Sequence, residues 1–270
     1  EVMSYVTYIG LRGRRNERSI TKRFSTVEVY LTPFSKRDSK RTANDIVEEL
    51  DKAIKIALEG RKGPVWIDVP LDIQSAQIDF DESLIDKEID FKKTVSPNQE
   101  EIDIITEKLN NAKRPVVLIG SGVKSSASEK IFQTFVEKNK IPVVFSNSAC
   151  DIYGSFNEFS VGSIGAMGAS RAGNFALQNS DLVLVIGNRL SSYATGNDFC
   201  KFARKAEIVV VDIDLDEFKK ETVKIDQFIH SDAKVFIEKL LEVEFKLKIE
   251  NWLNKCLHWK KMFGSVEPEF

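Results

Sequence analysis

The chain has 270 residues, of which 42% are hydrophobic and 30% are charged, so it holds enough apolar material for one large domain or two smaller ones. Its formal net charge of -2 and pI near 5.9 argue against nucleic acid as a partner, because a domain that binds the phosphate backbone usually carries a basic excess. The sequence contains neither an apolar run of about 18 residues nor a basic-then-apolar leader, so we expect no membrane partner and a cytoplasmic location.

The first segment, residues 1–43, is rich in arginine and lysine and has no sustained apolar period. We interpret it as a poorly ordered or disturbed domain edge. A nucleic-acid or membrane arm is the alternative, and the sparse aromatic residues and the acidic remainder of the chain argue against it.

Regular structure is first predicted after this segment. Apolar residues recur at spacings of three and four from Ile46 to Leu58, which predicts a helix that begins near Asn44 or Asp45 and ends at Gly60. The β-rich run VWIDV that follows predicts a short buried strand.

An acidic and irregular stretch from Leu71 to Asn98 is longer than the connections found inside compact domains, and it predicts a linker. We therefore divide the chain into a truncated first domain, a linker, a central domain and a tail. These parts comprise residues 1–74, 75–98, 99–243 and 244–270.

Beyond the linker, continuous apolar runs alternate with helix-like stretches. Such runs predict parallel strands, because a parallel sheet is covered by helices on both faces. We predict an α/β fold, with a Rossmann-like, six-stranded, mostly parallel sheet over residues 100–242 and a partial α/β domain before it. Five of the predicted strands are located, in PVVLIG, PVVFS, SDLVLVIGNRL, EIVVVDID and DQFIHSD, with an irregular glycine-bearing loop after the second and a final helix through Leu241.

The cysteine and histidine content excludes several classes of site. The three cysteines, Cys150, Cys200 and Cys256, are odd in number and far apart, which predicts reduced thiols rather than disulfides or a zinc site. No nucleophile motif surrounds His230 or His258, so a serine or cysteine hydrolase has little support. We assign His230 to the end of a strand.

The segment IGSGVKSS places Gly120 and Gly122 between a predicted strand and helix. Small residues there permit a tight turn and allow a phosphate to approach backbone N–H groups. The third glycine of the dinucleotide fingerprint is absent, since Ser125 stands in its place, so a plain structural turn is an equal alternative.

Charged residues follow two later strands. Arg189 comes just after VIGN, where it can pair with a phosphate, and a solvated surface arginine is the alternative. Asp212 and Asp214 end another strand, where they can accept hydrogen bonds from ribose hydroxyls or cap the next helix. The carboxyl ends of parallel strands share one edge of the sheet, where open α/β folds bind ligands.

Several separated motifs together resemble the thiamine diphosphate-dependent enzymes of the acetolactate synthase type. They are GRKGPVWIDVPLDIQ, RPVVLIGSGV, GAMGASRAGNFALQNSDLVLVIGNRLSSYATG and VVVDIDLDE. The resemblance runs from about Asp45 to the end of the sequence. It implies that the first helix and strand close a pyrimidine-binding domain and that the central domain follows.

The resemblance also implies what the chain lacks. The family's chemistry needs an activating glutamate from the first domain and a Gly-Asp-Gly motif with an asparagine from the third, and neither is found in these 270 residues. We therefore expect a fragment that does not catalyse alone. The full-length parent would use thiamine diphosphate and Mg²⁺ on a small 2-keto acid and form a homodimer or homotetramer.

In the acetolactate synthases the central domain holds FAD without redox work, and in other relatives the site is empty or holds another nucleotide. The resemblance therefore implies an FAD or ADP site, or a vestigial one. Its residues would be Gly120, Gly122, Gly165, Met167, Arg189, Asp212, Asp214, Glu217 and Asp232. The sequence departs from the family's FAD pattern at Met167, Ser191, Ser192, Tyr193 and Ser231.

Further alternatives concern the role of the whole protein. The sequence of the motif that begins GASRAGN resembles that of acetolactate synthase-like proteins from nucleotide-sugar and polysaccharide pathways. A stand-alone nucleotide-binding or regulatory module is the competing hypothesis, and the tail after Leu241, which has two tryptophans and no evident fold, favours the fragment. An NAD-dependent dehydrogenase would need the complete glycine fingerprint, which is missing.

Overall fold

The computed structural model describes residues 28–30, 45–69, 74–79, 94–217, 219 and 221–264. The chain forms two compact units that divide between Ile89 and Asp90. Within the described residues, no helix combines the length and apolar character needed to cross a bilayer.

The first unit contains strand β1 at Glu28–Tyr30, helix α1 at Ile46–Leu58 and strand β2 at Trp66–Asp68. The predicted helix and strand are both formed, but the strand is not buried, since Trp66 is 38% exposed and Ile67 is half-buried. β1 was not predicted, and it pairs in parallel with β2, with Glu28 opposite Trp66. The remainder of residues 1–43 lies outside the described residues.

The second unit is an alternating series of helices and strands. Its strands are β3 (Pro115–Ile119), β4 (Val143–Phe145), β5 (Ser160–Ser163), β6 (Leu182–Ile186), β7 (Glu207–Asp212) and β8 (Gln227–His230). Its helices are α2 (Gln99–Asn111), α3 (Gly122–Ser125), α4 (Glu129–Asn139), α5 (Arg171–Asn179), α6 (Ser192–Thr195), α7 (Ala233–Leu241) and α8 (Glu250–Met262).

The predicted six-stranded α/β sheet is confirmed, and every strand pair in it is parallel. All five residues of β3 and of β6 are buried, which is why both read as continuous apolar runs. β5 lies in the segment that the sequence predicted as loop. Its residues SVGS are small, and Gly162 has φ +136°, so the strand lacks the apolar, β-branched signal of its neighbours.

The strands are ordered β5-β4-β3-β6-β7-β8 across the sheet. The chain therefore builds outward from β3 in one direction and then returns to β3's other side with β6. This order is the doubly wound arrangement, in which the direction of winding reverses between the two central strands. The crevice between the carboxyl ends of β3 and β6 is where such sheets bind ligands.

Asp181 fixes the opposite, amino edge of the sheet. Its carboxylate accepts the backbone N–H groups of Lys113 at 2.9 Å and Arg114 at 2.8 Å. Its backbone contacts the residue before β3 and the first residue of β7, because Asp181 N donates to Arg114 O and Asp181 O accepts from Glu207 N. One residue thereby sets the relative register of three strands.

We predict that Asp181→Ala lowers the free energy of unfolding by about 1–2 kcal/mol, because two charge-assisted hydrogen bonds are lost at a partly exposed site. Urea denaturation measures this change. The matched control is Asp103→Ala, whose carboxylate, among the described residues, accepts only an exposed glutamine amide on the same helix. Equal effects of the two substitutions would contradict the assigned role.

The tail forms part of the core, whereas the sequence predicted no evident fold for it. Helix α8 buries Trp252, Leu253 and Cys256. The Trp252 indole Nε1 donates to Pro115 O at 3.0 Å, which ties the helix to the first residue of β3. The domain boundary at residue 243 stays a prediction. Because the tail is folded, it no longer favours the fragment hypothesis over the stand-alone module.

The cysteines provide a test of this packing. All three are free thiols, and burial raises the pKa of Cys256 to about 12, while Cys150 and Cys200 are exposed. Because the thiolate is the reactive species, we predict that the native protein reacts with a thiol reagent at Cys150 and Cys200 only. Cys256 should react after denaturation. Rapid reaction of all three thiols in the native protein would show that α8 does not pack on the sheet.

Candidate functional site

The glycine turn after β3 packs directly on the turn after β6. Gly120 N donates to Ile186 O at 3.1 Å, and Gly122 N donates to Gly187 O at 2.9 Å. A Cβ atom at Gly120 would lie 2.3 Å from Gly187 O, and one at Gly122 would lie 2.6 Å from Gly187 Cα. The two glycines are thus required for a close backbone approach, and both of their amides already have acceptors within the protein.

Asn188 fastens the second turn to the first. Its buried side chain donates from Nδ2 to Ile119 O at 3.0 Å and accepts the Leu190 N–H at Oδ1, also at 3.0 Å. Leu190 has φ +51°, a left-handed conformation that this bond helps to hold. Sequence reasoning missed Asn188, although an asparagine directly after a continuous apolar strand was a usable signal.

Arg189 forms an ion pair with Glu217. The Arg189 Nε atom lies 3.5 Å from Glu217 Oε1, and only 5% of the Glu217 side chain is exposed. Glu217 belongs to a short 3-10 helix, Leu215–Glu217, and its N–H donates to Asp214 O. A carboxylate as buried as this one needs a counter-charge, and Arg189 supplies it. The structure therefore brings together two predicted site residues as partners of each other.

Asp212, the last residue of β7, and Asp214 shape the turn that follows the strand. Asp212 Oδ1 accepts the Asp214 N–H, and Asp214 Oδ1 accepts the Asp216 N–H, each at 3.0 Å. His230 Nε2 lies 2.9 Å from Ile213 O in the same turn, and it must carry the proton there because a carbonyl oxygen only accepts. The assignment of His230 to a strand end is confirmed.

The loop that carries Gly165 and Met167 is held to α5. Asn174 of that helix accepts the Gly165 N–H at 3.2 Å and donates to Gly165 O at 3.0 Å. The Ala166 N–H donates to Tyr193 O at 3.1 Å, so this loop borders the segment after β6. The side chains of Met167 and Tyr193 are about two-thirds exposed, at 66% and 65%. Asn174 is a second positioning residue that the sequence did not reveal.

Asp232 acts as a helix cap. Its Oδ1 atom accepts the N–H groups of Lys234 at 2.8 Å and Val235 at 3.4 Å, at the first turn of α7. Its own N–H donates to Val95 O at 3.0 Å. The Asp232 carboxylate therefore has a structural role as the cap of α7. Its role in binding a nucleotide stays a prediction.

The predicted site is acidic. Among the predicted site residues, Arg189 contributes one positive charge, and Asp212, Asp214, Glu217 and Asp232 contribute four negative charges. A pyrophosphate would therefore meet more carboxylates than cations, and the like charges would repel it. Ribose hydroxyls can donate to carboxylates, so the edge suits a sugar better than a phosphate.

Thiamine diphosphate and its metal do not fit the residues present. In the described part of the chain, no group of three or more His, Cys, Asp or Glu side chains is placed to hold a metal ion. The full sequence has no Gly-Asp-Gly motif. Neither the described residues nor the sequence motifs therefore provide the diphosphate clamp that the resemblance implies for the parent.

The strand order and the crevice at its reversal define a doubly wound, Rossmann-like α/β domain. Residues 102–240, which run from α2 to α7, match the family described as "Thiamine pyrophosphate enzyme, central domain". The chain belongs to this family. The predicted resemblance is thereby confirmed.

Curated relatives agree with this assignment. The chain is 33% identical over 210 residues to the acetolactate synthase large subunit of Corynebacterium glutamicum, covering 77% of this chain and 33% of the relative. It is 32% identical over 224 residues to a probable acetolactate synthase large subunit of Methanocaldococcus jannaschii, covering 81% and 37%. It is 32% identical over 243 residues to the glyoxylate carboligase of Escherichia coli O157:H7, covering 87% and 40%. The matches thus span about a third to two-fifths of each relative's length.

The ion pair at the site can be tested by stability. We predict that Arg189→Ala lowers the free energy of unfolding by about 1–3 kcal/mol, because the buried Glu217 carboxylate loses its ion pair with Arg189. Glu217→Gln should cost less, since the remaining arginine is partly exposed and can be solvated. Lys219→Ala is the control, because Lys219 pairs with an exposed aspartate. An Arg189→Ala protein as stable as the control would contradict the assigned pairing.

Proposed function

We propose that the chain is the central region of a thiamine diphosphate-dependent enzyme of the acetolactate synthase type, together with the end of its pyrimidine-binding domain. The observation that carries this proposal is the match of residues 102–240, which coincides with the doubly wound sheet. The parent would act on a small 2-keto acid as a carboligase or decarboxylase and assemble as a homodimer or homotetramer. A role in a nucleotide-sugar or polysaccharide pathway is part of the same proposal.

In the parent, thiamine diphosphate would supply the carbanion-stabilising chemistry. The residues described in this chain would have a structural role rather than a chemical one. They form a rigid sheet whose two central strands are locked by backbone contacts, and such a sheet can hold flanking domains at a fixed separation. The catalytic glutamate, the diphosphate clamp and Mg²⁺ would belong to other parts of the parent.

The nucleotide site is the finer part of the proposal. The doubly wound order, Arg189 and the acidic end of β7 favour an FAD or ADP site at the carboxyl edge. The engaged amides of Gly120 and Gly122, the Arg189–Glu217 pair and the excess of carboxylates favour a vestigial one. We propose the vestigial role, in which the sheet acts as a spacer.

An assay tests the catalytic part. We predict that the 270-residue chain forms no acetolactate from pyruvate, thiamine diphosphate and Mg²⁺ above a control without protein, because it lacks the diphosphate clamp. The full-length parent should form product and depend on both cofactors. Activity of the chain alone would contradict the proposal, and an inactive full-length parent would exclude pyruvate as its substrate.

Calorimetric titration tests the nucleotide part. We predict no saturable heat with FAD or ADP at high micromolar concentration. Saturable binding that weakens about ten- to a hundredfold in Arg189→Ala, as expected for loss of a charge-assisted contact, would establish a working site instead. A stability measurement on the same protein separates lost binding from lost folding.

A further inference from the structure

A groove of about 560 Å³ lies at the amino edge of the sheet, on the side opposite the candidate nucleotide site. One wall is the segment from Phe199 to Ile208, which leads into β7, and the other is Thr222 to Asp226, which leads into β8. β7 has six residues, so the groove and the carboxyl edge are about 20 Å apart. A ligand in the groove would not compete with one at the carboxyl edge.

Asp226 holds the two walls together. Its Oδ2 atom accepts the Ile208 N–H at 2.9 Å, and its own N–H donates to Ile208 O at 3.0 Å. Its Oδ1 atom lies 3.1 Å from Lys224 Nζ. The groove is therefore set by bonds of the fold, as expected of a ligand site that is largely formed in advance.

A tight turn presents two cations to the groove. The Ala206 N–H donates to Ala203 O at 2.8 Å, and Ala203 has φ +42°. Arg204 and Lys205 lie between these residues, line the groove and are exposed. Within the described residues, neither of them forms an ion pair, so their charges are available to an anion.

The carboxylates of the groove are already neutralised. Glu207 pairs with Lys108, and Asp226 pairs with Lys224. Arg204 and Lys205 are therefore the lining cations that are left to bind an anion. Arginine is the side chain best suited to bind a carboxylate or phosphate through two parallel hydrogen bonds.

The groove also has an apolar side. Phe202, Ile208 and Val223 line it and are buried, and Phe199 joins them at the rim. A small inorganic anion would leave this surface unused. A ligand that combines an anionic group with an apolar body would contact both parts, which is the usual composition of a small-molecule site.

From these features we infer that the groove binds a small organic anion, with a phosphate or carboxylate at Arg204 and Lys205 and an apolar body against the half-buried Phe199 and the exposed edges of Phe202 and Val223. Because the groove lies about 20 Å from the carboxyl edge, it is a site separate from the candidate nucleotide site. This inference does not depend on the proposed nucleotide or catalytic function.

The test is a titration of the 270-residue chain with phenyl phosphate at low salt, followed by backbone NMR shifts. We expect saturable shifts in residues 203–207 and 222–226 and no comparable shifts at the carboxyl ends of β3 and β6. Inorganic phosphate should bind more weakly, since it lacks the apolar body. Equal affinities for the two probes would overturn the apolar half of the inference.

The matched variants are the double substitutions Arg204→Ala/Lys205→Ala and Lys130→Ala/Lys234→Ala. Both remove two positive charges, and the second pair is exposed on α4 and α7, away from the groove. We expect at least a tenfold loss of phenyl phosphate affinity in the first and less than about a twofold change in the second. No saturable binding to the unsubstituted chain, or equal losses in both variants, would overturn the inference.

Discussion

The close backbone contact between the turns after β3 and β6 is the constraint on which the rest of this domain depends. β3 and β6 are the central pair of the sheet, and the direction of winding reverses between them. Gly120, Gly122 and Gly187 allow the two turns to touch, and Gly187 adopts φ +57° in doing so. Any side chain at Gly120 would meet backbone atoms that cannot rotate away.

This contact sets the positions of the charged residues that follow. Asn188 fastens the turn after β6, so that Arg189 leaves it at a fixed point beside Glu217. The carboxyl edge thereby becomes acidic, whereas the groove at the amino edge carries the uncompensated cations Arg204 and Lys205. The two edges of one sheet thus favour ligands of different charge, although the chain as a whole is close to neutral.

The sequence predicted those parts of the fold that leave a local pattern. β3, β6 and β7 were visible because strands covered on both faces are continuously apolar. β5 was not, because its small residues give no such run, and β1 was not, because three residues are too few to show a period. α8 could have been found, since Trp252, Cys256 and Trp259 recur at helical spacing on its inner side.

The site was predictable in location but not in its bonding. Strand ends in a doubly wound sheet share an edge, so the sequence placed Gly120, Arg189 and Asp212 there. The sequence could not show that the glycine amides bond to β6, or that Arg189 pairs with a residue 28 positions later, because both depend on the packed structure. The sequence left open whether Gly120 and Gly122 form a plain structural turn or a phosphate site. The plain structural turn explains both glycines.

The most direct test of this account is the unfolding free energy of Gly122→Ala, measured by chemical denaturation without any ligand. A Cβ at this position would lie 2.6 Å from Gly187 Cα, so we expect a loss of about 1–3 kcal/mol from overpacking. Ser121→Ala, at the exposed position between the two glycines, should change stability by less than about 0.5 kcal/mol. Unchanged stability of Gly122→Ala, together with lost binding of FAD or ADP, would show that the turn serves a phosphate rather than the sheet.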